Sequence, residues 1–151
     1  MSRRASRRIQ SRSATETEAV GAQLAASLKA GDVVLVRGEL GAGKTTFVRG
    51  ACRGLGVSAT VNSPTFTIGQ RYPADVPVAH LDLYRVEDLN SEDPDLLADY
   101  LGPDTIAFIE LPPEPRALVA AVERAVSEVA AVAASISLTH AGGDERTVEI
   151  E

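Results

Sequence analysis

A chain of 151 residues with a formal net charge of -6 and a sequence pI near 5.0 is expected to form one domain, which excludes a two-domain enzyme. Hydrophobic residues at 44% and charged residues at 24% suit a globular chain with a buried core, so wholesale disorder is excluded as well. One cysteine, Cys52, and two histidines, His80 and His140, permit no disulfide within the chain and supply too few ligands for a cysteine/histidine zinc site, so a bound metal must be held by oxygen.

Residues 1–13 hold five arginines and no acid, leaving 10 basic against 21 acidic groups, a net -11, in residues 14–151. The segment 1–13 therefore reads as a basic disordered arm and 14–151 as the single folded domain. The arm is a solvated tail, a contact for RNA or an acidic partner, or a short organellar presequence, and sequence alone does not choose among them. No apolar run approaches the roughly 20 residues that span a bilayer and no signal-peptide core follows the N-terminus, so the expected location is cytoplasmic with no membrane contact.

Thr15-Glu16-Thr17-Glu18 predicts a capping box, and Val20, Leu24, Ala25 and Leu28 follow at helical spacing up to Gly31. Val33 to Val36 is a short aliphatic run that predicts a strand buried on both faces. After a glycine-rich loop, Thr45 to Leu55 predicts a helix with Phe47, Val48, Ala51 and Leu55 on one side. Phe66 to Tyr72 and Val78 to Tyr84 predict an antiparallel hairpin whose second strand points Val78, His80, Asp82 and Tyr84 to one face. A short helix around Leu96 to Leu101, a second buried strand from Ile106 to Ile109 ended by Glu110, a long Ala-rich helix from Ala117 to Ala134 and a terminal hairpin over 136–150 complete the reading. The expected fold is α/β: a P-loop NTPase-like mixed sheet flanked by helices, with antiparallel hairpin strands.

Gly38-Glu39-Leu40-Gly41-Ala42-Gly43-Lys44-Thr45 matches G-x-x-x-x-G-K-[ST] in full, between a predicted buried strand and a predicted helix, which is the context the motif requires. Glycines let the backbone curl so that amide hydrogens face phosphates, and the helix N-terminus adds positive potential. Gly41, Ala42, Gly43, Lys44, Thr45 and Thr46 are thus the candidate nucleotide-binding residues, with Lys44 supplying a positive charge to the β- and γ-phosphates and Thr45 ligating Mg2+. Glu110, at the carboxyl end of a buried strand, is placed either as a second magnesium ligand of Walker B type or as a solvated strand-end acid. Asp82 either orients the attacking water or a metal-bound water, or pairs with Arg85 or another basic group to stabilise the fold. Ser63-Pro64-Thr65 is a nucleotide-sensing segment or an ordinary proline turn, and Cys52 is read as core.

Taken in order, Thr17 to Gly21, the loop from Gly38 to Thr46, Ser63-Pro64-Thr65-Phe66, His80 to Arg85 and Ile109-Glu110 resemble the motifs of the TsaE (YjeE) family, small bacterial ATPases required for threonylcarbamoyladenosine formation in tRNA. The loop alone is generic, whereas the five motifs in order are specific. The resemblance implies ATP with Mg2+, weak hydrolysis dependent on partners, and a nucleotide cycle that supports repeated turnover by a TsaD–TsaB heterodimer. It implies that Lys44, Thr45 and Thr46 bind phosphates and metal, that Glu110 binds magnesium and that Asp82 is needed for hydrolysis. The acidic body argues that tRNA is reached indirectly, through partners. Leu111 departs from the tryptophan that usually follows the family's glutamate, and the Ala-rich segment after Pro115 departs as well. Two other functional classes share the loop: a small phosphotransferase, for which a multi-arginine lid is hard to build here, and a nucleotide-binding module with negligible turnover. A GTPase is disfavoured because no N-K-x-D motif occurs.

Overall fold

The computed structural model describes residues 6–39, 41–62, 69–84 and 96–151. Its first element lies within the segment expected to be a disordered arm: Arg7–Ser11 form β1. Ile9 and Ser11 turn towards the body while Arg7, Arg8 and Gln10 stay exposed, so a strand with only two inward positions reads as a polar tail in sequence. Helix α1 (Ala14–Ala25) follows, capped by Ser13, whose hydroxyl accepts the Glu16 N–H at 3.1 Å. The cap thus sits two residues before the expected Thr15, because Thr17 is buried and shares a 2.7 Å hydrogen bond with Ser11.

Strand β2 (Asp32–Arg37) is buried from Asp32 to Val36 and leads through the glycine-rich loop into α2 (Lys44–Gly54). β3 (Gly69–Tyr72) and β4 (Val78–Asp82) form the expected antiparallel hairpin, with Gly69 opposite Leu81 and Tyr72 opposite Val78. Ser63-Pro64-Thr65, the first residues of the predicted strand at 66–68, and the stretch 85–95 with Arg85 lie outside the described residues. α3 (Leu96–Tyr100) and β5 (Ile106–Leu111) follow the sequence reading closely. The predicted helix from Ala117 to Ala134 does not run its full length: α4 (Arg116–Val129) ends where Ala130 turns extended, and β6 (Ala131–His140) begins at once. Ala131 pairs with Asp32 and Ala134 with Val34, so sheet hydrogen bonding overrides the helix preference of alanine. β7 (Arg146–Ile150) returns antiparallel on β6 as the expected terminal hairpin.

The strands form one mixed sheet in the order β1-β7-β6-β2-β5-β4-β3. The four central strands β6, β2, β5 and β4 are parallel, and a parallel sheet requires covering on both faces. α1 and α2 cover one face over Val34, Val36, Phe108 and Ile136, while α4 covers the other through Leu118, Val122 and Val126 against Leu35, Leu81 and Ile109. Each such fully buried aliphatic or aromatic side chain contributes about 1.5–3 kcal/mol. Among the described residues no helix is long and apolar enough to cross a membrane.

α1 lies unusually close to α2 because small residues face each other at the crossing. A Cβ on Gly50 would stand 2.0 Å from the Glu18 carbonyl oxygen, and one on Gly21 would stand 2.2 Å from that of Phe47. Both obstacles are backbone, so relief requires the helices to separate. We expect Gly50→Ala to lower unfolding free energy by about 2–3 kcal/mol, at the upper end of overpacking costs, whereas Gly102→Ala, which meets nothing within 4 Å, stays near wild type in urea denaturation.

Candidate phosphate and metal site

Parallel pairing brings three chain segments to one end of the sheet. Val36, the penultimate residue of β2, is level with Glu110 of β5, and Glu110 is level with Asp82 of β4. The loop that leaves β2 therefore rises directly over both carboxylates, where parallel α/β sheets place their ligands. Gly41 and Gly43 take φ values of 78° and 98°, the left-handed region a side chain would strain, and Gly43 caps α2 without a side-chain bond. The first-turn N–H groups of α2 are thus left for a ligand.

Lys44, the first residue of α2, is only 6% exposed, and its ammonium folds back to donate to the carbonyls of Gly38 and, at 3.1 Å, Glu39. Burial lowers the pKa of its amine, opposed by the negative charges of Glu110, Asp82 and Glu39. The ammonium also stands 5.6 Å from the centre of the Tyr84 ring. One residue on, the Thr45 hydroxyl lies 3.0 Å from both oxygens of the Glu110 carboxylate.

Glu110 is 1% exposed, so its charge must be met inside the protein. Besides Thr45 it has the Nε2 of His80, which is fully buried one strand away on the same face. His80 Nδ1 is 3.4 Å from the Tyr72 hydroxyl, which donates to the Gln70 side-chain oxygen at 2.7 Å. Burial raises the Tyr72 pKa, keeping that phenol a neutral donor. The alternation read in the second hairpin strand is what puts His80 behind Glu110. Asp82 is at the same face and end, its Oδ1 accepting the Tyr84 N–H at 3.0 Å.

A cleft of about 250 Å³ opens between these groups. Gly41, Gly43, Lys44, Thr45 and Thr46 form its loop and helix side, and Asp82 and Glu110 its strand side. Of the loop residues expected to bind nucleotide, Ala42 alone points elsewhere: its side chain is 1% exposed in the core and borders a neighbouring cavity of about 570 Å³ with Arg37, Pro113 and Leu138. The hydroxyls of Ser63 and Thr65 fall outside the described residues. Arg146 of β7 also reaches the cleft, and nothing in the sequence pattern pointed to it. Cys52 is fully buried, and burial pushes its thiol up to about 12, so it is core and no nucleophile. Leu111, which stands where the related motif usually has a tryptophan, is fully buried against the α4 side of the sheet.

Comparison with known proteins points to one family. The family model described as "Threonylcarbamoyl adenosine biosynthesis protein TsaE" matches residues 11–148. The chain is 53% identical over 79 residues to the tRNA threonylcarbamoyladenosine biosynthesis protein TsaE of Bacillus subtilis, covering 52% of this chain and 49% of that one. It is 44% identical over 94 residues to the protein of the same name from Streptomyces coelicolor, covering 60% and 64% respectively. The chain thus aligns with about half to two thirds of the length of these relatives. The crystal structure of YdiB from Bacillus subtilis superposes with a TM-score of 0.71 at 28% identity, over 97% of this chain and 84% of that one. With the sheet order, the glycine-rich loop and the strand-end glutamate in place, the match over nearly the whole chain means that it belongs to the TsaE family of threonylcarbamoyladenosine biosynthesis proteins.

Proposed function

We propose that this chain is a Mg2+-dependent ATP hydrolase whose nucleotide cycle supports tRNA N6-threonylcarbamoyladenosine modification, acting in the cytoplasm with a TsaD–TsaB-like heterodimer. The observation that carries the proposal is the Thr45 hydroxyl set 3.0 Å from both Glu110 oxygens, directly after the loop lysine. A hydroxyl and a carboxylate are hard oxygen donors, the type magnesium takes, so Thr45 and Glu110 would hold the ion together with phosphate oxygens. Bound magnesium would neutralise the phosphates and orient them for attack by water.

The chain's own groups divide the remaining work. Lys44 exchanges its carbonyl partners Gly38 and Glu39 for phosphate oxygens, retaining hydrogen bonds and gaining charge compensation. The amides of Gly41, Gly43 and the first turn of α2 cradle the phosphates, with Thr46 beside them. Asp82 faces the cleft from β4 and serves to orient the attacking water and accept its proton. His80 holds the Glu110 carboxylate in place from behind. Hydrolysis is expected to be weak without partners, and the acidic body makes tRNA contact indirect through them.

Lys44→Ala is expected to weaken ATP binding at least about tenfold by calorimetry, since a charge-assisted contact is lost; unchanged affinity would remove Lys44 from the site. Asp82→Ala should keep ATP binding yet lower single-turnover hydrolysis about 100-fold, and equal turnover would take Asp82 off the list of catalytic residues. His80→Ala leaves the buried Glu110 carboxylate short of a partner and should cost about 3 kcal/mol in urea denaturation. That loss should shrink when Glu110→Gln is added, and additive losses would show that the two side chains are not coupled.

A further inference from the structure

Arg146 is a charged residue of the cleft to which the proposed mechanism gives no task. It opens β7, opposite His140 of β6 and Ser11 of β1, more than 100 residues from the loop it touches. Its Nε donates to the Ala42 carbonyl at 3.1 Å and its Nη2 to the Gly41 carbonyl at 3.1 Å. Nη1 donates to the carbonyls of Gly143 at 2.7 Å and Glu145 at 2.8 Å, anchoring the guanidinium in its own hairpin turn. All four bonds run to backbone carbonyls.

From this geometry we infer that Arg146 is a positioning residue that holds the phosphate-binding loop in its ligand-ready shape. A trans peptide is planar, so its C=O and N–H point in opposite directions. Fixing the Ala42 carbonyl on the guanidinium therefore directs the Gly43 N–H away from it, and fixing the Gly41 carbonyl does the same for the Ala42 N–H, which closes a turn onto Glu39 at 3.0 Å. Glycines at 41 and 43 give the loop freedom to turn these planes over, and a rigid fork holding two successive carbonyls removes that freedom before the ligand arrives. The bidentate grip needs the planar guanidinium; a lysine brings the same charge without the fork. The role rests on the ATP-site reading for its functional meaning, whereas the loop restraint can be observed without nucleotide.

Arg146→Lys and Arg146→Gln, with melting temperatures confirming the fold, should each bind MgATP and MgADP about tenfold more weakly than wild type, by the same factor for both, because the loop amides serve the phosphates the two share. In the nucleotide-free variants, amide hydrogen exchange at Ala42 should speed up while the central strands keep their protection. Wild-type affinity in Arg146→Lys would overturn the inference, and so would a loss confined to MgATP, which would make Arg146 a γ-phosphate contact. A wild-type chain that binds neither nucleotide would sink the ATP-site reading, and unchanged exchange at Ala42 would then sink the loop role separately.

Discussion

The register between β2, β5 and β4 is the constraint on which the rest depends. Parallel strands cannot be joined by tight turns, so each pairing sends the chain across a face of the sheet and returns it at the same end. That requirement covers the sheet on both sides with α1 and α2 on one and α4 on the other. It also delivers the loop after β2, the end of β4 and the end of β5 to one edge. A shift of one residue in β5 would turn Glu110 into the face occupied by Leu111 and bring Leu111 under the loop. The site is thus a consequence of strand register before it is a matter of loop sequence.

A line of polar groups runs through an otherwise apolar face because of that register. Thr45, Glu110, His80, Tyr72 and Gln70 connect from the first turn of α2 back to the edge hairpin, each member bonded to the next. A carboxylate 1% exposed is tolerable only with such partners, and they restrict its oxygens to one orientation. Lys44 lies across the cleft as the positive charge that Glu110, Asp82 and Glu39 favour and burial disfavours. The three carboxylates thereby offset part of the cost of burying an ammonium next to the loop.

Much of this was legible in the residues, and the failures share a cause. The loop motif, the two aliphatic runs and the alternation of Val78, His80 and Asp82 are local patterns, and each marks its element, although β4 stops at Asp82 and leaves Tyr84 in the turn beyond it. β1 was hidden because its inward positions are only Ile9 and Ser11 among arginines, so the strand depends on β7 for its existence. The join between α4 and β6 was hidden because alanine and valine satisfy helical periodicity up to Ala134, and pairing with β2 decides where it ends. Arg146 was invisible for the same reason in stronger form. Its meaning lies in two carbonyls about 100 positions away, and backbone carbonyls leave no mark in a sequence.

The arginines of β1 acquire a different significance once the strand is seen as the outer rail of a seven-stranded sheet. An open rail offers unpaired backbone groups to any other strand, including the same strand of another copy. Arg7 and Arg8 are exposed on that strand and Arg12 just beyond it, and among the described residues Arg8 alone of the three forms an ion pair, across to Glu149 of β7 at 3.0 Å. Two copies approaching rail to rail would bring like charges together, so the most basic stretch of an acidic chain guards the sheet against growing by self-addition.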